Sequence, residues 1–156
     1  MNKKASMREV NSLSNIKKVA VIGAGVMGSG IAQVFAQEGF YVLLNDIKDE
    51  FLQKALKRIK FNLKAMKDEK VLTEKAVNSA IENLHLSTEL SDVGAVDFAI
   101  EAITEELTLK QKLFQNIEKL VSSETVLATN TSGISITAIA SLTQFPGKVI
   151  GMHWWN

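Results

Sequence analysis

The chain has 156 residues, 46% of them hydrophobic and 22% charged, with a formal net charge of +1. That length and balance predict one globular domain with its own core, and the near-neutral charge gives no basis for a nucleic-acid or membrane-surface protein. Cysteine is absent, which excludes disulfides and thiolate chemistry, and no apolar run is long enough to span a bilayer.

Residues 1–15 are polar, carry Lys3, Lys4, Arg8 and Glu9, and lack the apolar stretch of a signal peptide. They are expected to be a disordered lead-in, with Met7 an alternative start, ahead of a folded unit over 16–156. Cytoplasm is the expected location. The first strand, predicted at about 18–23, runs into Gly23-Ala24-Gly25-Val26-Met27-Gly28 and then a helix to about residue 38, closed by Gly39. The three glycines stand in G-x-G-x-x-G spacing. Gly23 allows a tight turn, Gly25 lets backbone approach a pyrophosphate, and Gly28 lets the helix pack close to the sheet. The helix N-terminus offers free N–H groups to phosphates. A second strand, about 40–45, leads to Asp46, roughly 20 residues past the glycines, where a ribose-binding acid belongs. A lone G-x-G-x-x-G is weak evidence, and the bland reading is a glycine turn with a solvated strand-end aspartate. Together they predict a dinucleotide site, and the carboxylate favours NAD over NADP because it repels a 2′-phosphate.

A long helix follows from about Glu50 to Met66, its apolar stripe formed by Leu52, Ala55, Leu56, Ile59, Leu63 and Met66. Lys54, Lys57, Arg58, Lys60, Lys64 and Lys67 crowd its other faces. Another helix is expected from about Glu74 to Asn83. The pair reads as a helical hairpin inserted near the cofactor crevice, or as a solvated charged face. Short strands are predicted at Leu84 to Ser87, Asp97 to Ala102, Val126 to Asn130 and Val149 to His153. Thr108 and Gln111 suggest a capping box for a helix reaching about Val121, and a short helix covers about Ile136 to Leu142. The alternation predicts an α/β, doubly wound, mainly parallel Rossmann-type sheet with a helical hairpin insertion after its second strand.

Ligands of such sheets bind beyond the carboxyl ends of the strands. That rule selects Glu101, Glu105 and Lys110 after the fourth strand, Asn130 and Ser132 after the fifth, and His153 and Asn156 after the sixth. His153 is the credible general base at neutral pH, and Ser132 can supply a hydrogen bond to a reacting oxygen. His85, in an edge-side strand, reads as structural. From the residues alone, His153 reads equally as a structural histidine. They predict an NAD-binding oxidoreductase and leave its substrate open.

The segments Val21 to Ala36, Ile100-Glu101-Ala102, Ala128-Thr129-Asn130-Thr131-Ser132 and Ile150-Gly151-Met152-His153 together resemble the N-terminal domain of the short-chain L-3-hydroxyacyl-CoA dehydrogenases. The resemblance covers about 16–156. It implies hydride transfer between NAD and the 3-hydroxyl carbon of an acyl-CoA. His153 is then the catalytic base, Ser132 bonds the substrate oxygen, and Asn130 stands close by. Gly23, Ala24, Gly25, Val26, Met27, Gly28 and Ala102 line the cofactor and Asp46 takes the adenosine ribose. Glu105, Lys110 and Ser132 lie beside the nicotinamide half, and Asn156 approaches it. It also implies a CoA-binding role for the hairpin region that holds Asn62, Lys64 and Lys67. No metal is implied.

The chain departs from the family in three places. Gly133 stands where a second serine is common, and Trp154-Trp155 replace a pair of phenylalanines, both indoles being expected to be exposed. The family continues past Asn156 with a glutamate that orients the histidine and with a helical domain that makes the dimer. The sequence therefore leaves open an enzyme of weak or no turnover or an NAD-binding module without chemistry; a third reading, a free-hydroxyacid dehydrogenase of the 3-hydroxyisobutyrate type, is opposed by the Asn130-Thr131-Ser132 and Gly151-Met152-His153 segments.

Overall fold

The computed structural model describes residues 16–155; the expected lead-in, Met7 and Asn156 lie outside the described residues. Six strands form one sheet: β1 (Lys18–Ile22), β2 (Tyr41–Asn45), β3 (Leu84–Ser87), β4 (Phe98–Glu101), β5 (Val126–Thr129) and β6 (Val149–Gly151). Their order is β3-β2-β1-β4-β5-β6. Every pairing is parallel, so the sheet is parallel throughout rather than mainly so. The helices are α1 (Val26–Gln37), α2 (Asp49–Asp68), α3 (Glu74–Glu82), α4 (Leu107–Ile117) and α5 (Ile136–Ala140).

Side-chain alternation along the strands divides the core into two layers. Val19, Val21, Val42, Leu44 and Ile100 face α1, α2 and α3, where Ile31, Leu52, Ile59 and Leu63 meet them. Ala20, Ile22, Leu43, Ala99 and Leu127 face the other way, onto Phe114, Ile117 and Ile139 of α4 and α5. Both layers are fully apolar at their centres, which is what a parallel sheet covered on both faces requires. Gly39, at φ +85°, ends α1 in the left-handed conformation that the sequence predicts for it.

Strand β1 pairs with β2 on one side and β4 on the other. The strand order therefore reverses direction at β1, and the crevice beyond its carboxyl end is the switch point where such sheets bind ligands. Asp97 locks this junction from the other end. Its Oδ2 accepts the backbone N–H of Lys17 at 2.8 Å and of Lys18 at 2.9 Å. Those bonds hold its carboxyl below the ordinary carboxylate range.

Helix α4 begins at Leu107 with Glu106 at the N-cap, so Thr108 and Gln111 do not form a capping box. The Thr108 hydroxyl donates to Glu106 and the Gln111 amide donates to the Ala138 carbonyl. Lys110, Phe114 and Ile117, at i, i+4 and i+7, form the buried face of α4. On the hairpin, Lys54 pairs with Glu50, Lys64 with Asp68 and Lys67 with Glu74. Lys54, Lys57, Lys60 and Lys64 are exposed, so most of the basic face is solvated and partly neutralised within the hairpin.

Candidate functional site

The chain leaves β1 through a turn that only glycine fits at two positions. Gly23 has φ +105°, and a Cβ there would lie 2.6 Å from the Ala102 carbonyl oxygen. A Cβ on Gly28 would lie 1.7 Å from the Gly23 carbonyl oxygen. Gly28 thus permits close packing of α1 on the turn itself, with the sheet's Val21 side chain next at 3.6 Å. Gly25 is different: nothing lies within 4 Å of its Cβ position. That open space faces a cavity of about 650 Å³ whose walls include Gly23 to Val26, Asp46 and Arg58. The size falls in the range of small-molecule sites. Asp46 Oδ2 accepts the Ala24 N–H at 2.6 Å, which fixes the carboxylate beside the turn. Asn45, buried beneath it, donates to the Ser87 and Glu89 carbonyls and ties β2 to the loop after β3.

A second cavity of about 330 Å³ opens across Ala102 and Ile103, which line both spaces. Its other walls are Met27, Asn130, Ser132, His153, Trp154 and Trp155. Ser132 Oγ lies 2.9 Å from His153 Nε2. Asn130 Oδ1 accepts the Trp154 N–H at 2.8 Å, and the Met152 N–H donates to the Thr129 carbonyl at 3.0 Å. These bonds pin the segment after β6 against the end of β5, which is how His153 reaches Ser132. For Nε2 to accept a proton it must be the unprotonated nitrogen, accepting from the Ser132 hydroxyl, with the ring proton on Nδ1.

Beneath Ser132 lies a carboxylate network that the sequence does not announce. Glu105 Oε1 accepts the Thr131 hydroxyl and the Ser132 and Gly133 N–H groups. One oxygen therefore gathers the whole turn that carries Ser132. Glu105 also meets Lys110 Nζ at 3.3 Å, and Lys110 in turn meets Glu101 Oε1 at 2.5 Å. Glu101 further accepts the Ile103 N–H and the Thr129 hydroxyl. Glu101 and Lys110 are each 1% exposed. Lys110, expected beside the nicotinamide, is a buried partner of two carboxylates. Glu101, selected as a strand-end candidate, is an anchor below the site and lines neither cavity. The reason is charge: a buried ammonium at the end of β4 is tolerable only against carboxylates held close to it.

Burial pushes the Glu105 carboxyl up, but the bonds from Thr131, Gly133 and Lys110 and the Lys110 charge outweigh it, and the group sits at about 2. Its folded value lies below its unfolded one. Its contribution to stability is therefore complete above about pH 4.5 and is lost as pH falls through about 2. Glu105→Gln is expected to lower the urea midpoint at pH 7. The gap to wild type should narrow steadily below pH 4.5; a gap independent of pH would show that the carboxylate's charge is not what holds the turn.

Trp154 is not exposed as expected. It is half-buried, edge-on to Phe35 with ring centroids 5.8 Å apart, and its Nε1 is buried without a hydrogen-bond partner among the described residues. Trp155 is exposed and stands edge-on to His153 at 5.8 Å. His85 stacks on Tyr41 at 4.1 Å, on the sheet edge and outside both cavities. Asn62 turns inward to Gln33 rather than outward with its lysine neighbours. Sequence reading names Arg58 only among the basic residues of the long helix and not as a site residue; its guanidinium lies over the first turn of α1. The signal available was its place beside Ile59, on the flank of the apolar stripe.

A six-stranded parallel sheet with a glycine turn at its switch point, an aspartate ending the second strand and a serine–histidine pair across the crevice defines a dinucleotide-binding domain of dehydrogenase type. The chain belongs to a specific family of these: residues 18–156 match the family described as 3-hydroxyacyl-CoA dehydrogenase, NAD binding domain. Its cofactor is accordingly NAD, and the open Cβ position of Gly25 leaves room for a ligand to approach the backbone there. It is 41% identical over 141 residues to a probable 3-hydroxybutyryl-CoA dehydrogenase of Bacillus subtilis, covering 90% of this chain and 49% of that protein. Among solved structures, it resembles 3-hydroxybutyryl-CoA dehydrogenase of Escherichia coli at 40% identity and a TM-score of 0.89, over 91% of this chain and 30% of that one. The (S)-3-hydroxybutyryl-CoA dehydrogenase of Ralstonia eutropha matches at 39% identity and a TM-score of 0.88, over 90% and 50%. The chain spans about half the length of the curated 3-hydroxybutyryl-CoA dehydrogenases it matches. Among the described residues no helix is long and apolar enough to cross a membrane.

Proposed function

We propose that this chain forms the dinucleotide-binding half of an NAD-dependent dehydrogenase of 3-hydroxyacyl-CoA thioesters, with 3-hydroxybutyryl-CoA and acetoacetyl-CoA as its substrate pair. The observation that carries this reading is the 2.9 Å contact of Ser132 and His153 in a cavity that shares the Ala102–Ile103 wall with the cavity at the glycine turn. NAD supplies the hydride acceptor for the 3-hydroxyl carbon. His153 Nε2 takes the hydroxyl proton in oxidation and returns it in reduction, while the Ser132 hydroxyl bonds the same oxygen. Asn130 keeps the His153 segment in register through the Trp154 N–H. Asp46 accepts ribose hydroxyls, and the N–H groups of the glycine turn face the pyrophosphate. Ala102 forms the floor between the two halves of the cofactor. Glu105 and Lys110 support the nicotinamide side from below, and Asn156 is assigned there from the family resemblance. The unit runs over 16–156, in a cytoplasmic protein of butanoate and fatty-acid metabolism. That protein dimerises through a helical domain and takes the CoA moiety along the α2–α3 hairpin.

The test follows NADH absorbance on adding acetoacetyl-CoA to the chain with saturating NADH. His153→Gln is expected to lower turnover by about 10²–10⁴-fold, the usual worth of a positioned acid–base group, with NADH affinity unchanged. Equal turnover by variant and wild type would remove His153 from the chemistry. A second reading, an NAD-binding module without turnover, is favoured by one observation: among the described residues the His153 ring makes a single hydrogen bond, to exposed Ser132. NADH binding with no turnover at all would establish it.

A further inference from the structure

We propose that Arg58 is a pyrophosphate-binding residue of the dinucleotide site, supplying from α2 the positive charge that the glycine turn itself lacks. The inference rests on the reading of that turn as the NAD site. Arg58 Nη1 donates to Ser29 Oγ at 3.0 Å and to the Gly25 carbonyl at 3.3 Å. The side chain lines the 650 Å³ cavity together with Gly23, Gly25 and Asp46.

Neither acceptor requires it. The Gly25 carbonyl already receives the Ser29 N–H within α1, and the Ser29 hydroxyl already donates to the Val26 carbonyl. The two contacts therefore hold the guanidinium in place rather than satisfy an orphaned group. Among the described residues they leave three of its five N–H donors without a hydrogen-bond partner.

Lys54 lines the same cavity, but Arg58 differs from its neighbours on α2 in burial and pairing. Lys54 and Lys57 are exposed, and Lys54, Lys64 and Lys67 each pair with a carboxylate. Arg58 is half-buried, and among the described residues no carboxylate pairs with it. A partly desolvated guanidinium without a counter-charge is costly. Placed over the first turn of a helix, at a site built for a doubly charged diphosphate, it gains that counter-charge from the ligand. The planar fork matches phosphate oxygens two at a time, which an ammonium cannot do.

The experiment compares wild type, Arg58→Gln and Arg58→Lys by calorimetric titration with NADH, ADP-ribose and adenosine, alongside thermal unfolding of each variant. Arg58→Gln is expected to weaken NADH and ADP-ribose by about tenfold or more, the worth of a charge-assisted bond. Adenosine affinity should stay unchanged and the salt dependence of NADH binding should flatten. Arg58→Lys should fall between, and it carries the comparison if the glutamine variant is poorly folded. NADH affinity equal to wild type in both variants would overturn the proposal. So would equal weakening of adenosine, which would mark Arg58 as a structural brace. Wild-type protein that binds none of the three ligands would overturn the dinucleotide reading and this inference with it.

Discussion

Gly28→Ala is expected to abolish NADH binding and to destabilise the fold, whereas Gly25→Ala abolishes binding alone. A methyl group on Gly28 would sit 1.7 Å from the Gly23 carbonyl oxygen, and that oxygen belongs to backbone, not to a side chain that can swing away. The turn must move, and with it the contact of Gly23 against Ala102. Forced overpacking of this kind costs about 3 kcal/mol, which in a chain of this size lowers Tm by roughly 6–12 °C. At Gly25 the backbone is extended, φ −68° and ψ −167°, and the space beside it is open. Alanine fits there without strain, so Tm should hold, but the methyl group enters the cradle that a pyrophosphate fills. Differential scanning fluorimetry and NADH titration of the two variants separate these roles. If both lose stability equally, Gly25 is a packing residue and the cradle lies elsewhere.

Lys110→Met is expected to cost about 3–5 kcal/mol, because it leaves Glu101 as a buried carboxylate without its cation. Glu101→Gln leaves the converse charge, relieved in part by Glu105, and should cost less. The double variant Glu101→Gln/Lys110→Met removes both charges, so much of the stability should return. The two substitutions should couple strongly in a double-mutant cycle measured by urea unfolding. Additive effects would show that the 2.5 Å pair contributes nothing as a pair. The same variants report on the site, since Lys110 also braces Glu105 and Glu105 gathers the turn bearing Ser132.

The parts of this structure legible in the sequence are those that local chemistry decides. The strand, glycine turn, helix and terminal Asp46 could be read because each step constrains a few neighbouring residues. The strand–helix alternation gave the Rossmann class, since parallel strands need crossovers. Strand and helix ends came within a few residues. What stayed hidden depends on contacts far apart along the chain. Thr131 meets Glu105 across 26 residues and Ser132 meets His153 across 21. Lys110 reads as a site residue after the fourth strand, although its spacing to Phe114 and Ile117 marks the buried face. Trp154 reads as exposed because no neighbouring residue reveals that Phe35 covers it. The Ser132–His153 pair was named from strand-end position and family resemblance, while the carboxylate network beneath it was not foreseen.

The place of β1 between β2 and β4 also sets the order in which a growing polypeptide can assemble. The adenosine side, β1, α1, β2 and α2, comes from one continuous stretch and can form as soon as it leaves the ribosome. The other flank of β1 waits for Asp97, which bonds Lys17 and Lys18 across 80 and 79 residues. Until then one edge of the innermost strand is unpaired and open to other chains. Closing it pays the entropy of a very long loop. The crevice beyond β1 is thus bounded on both sides only after synthesis has passed β4, and Asn130, Ser132 and His153 join it later still, after β5 and β6.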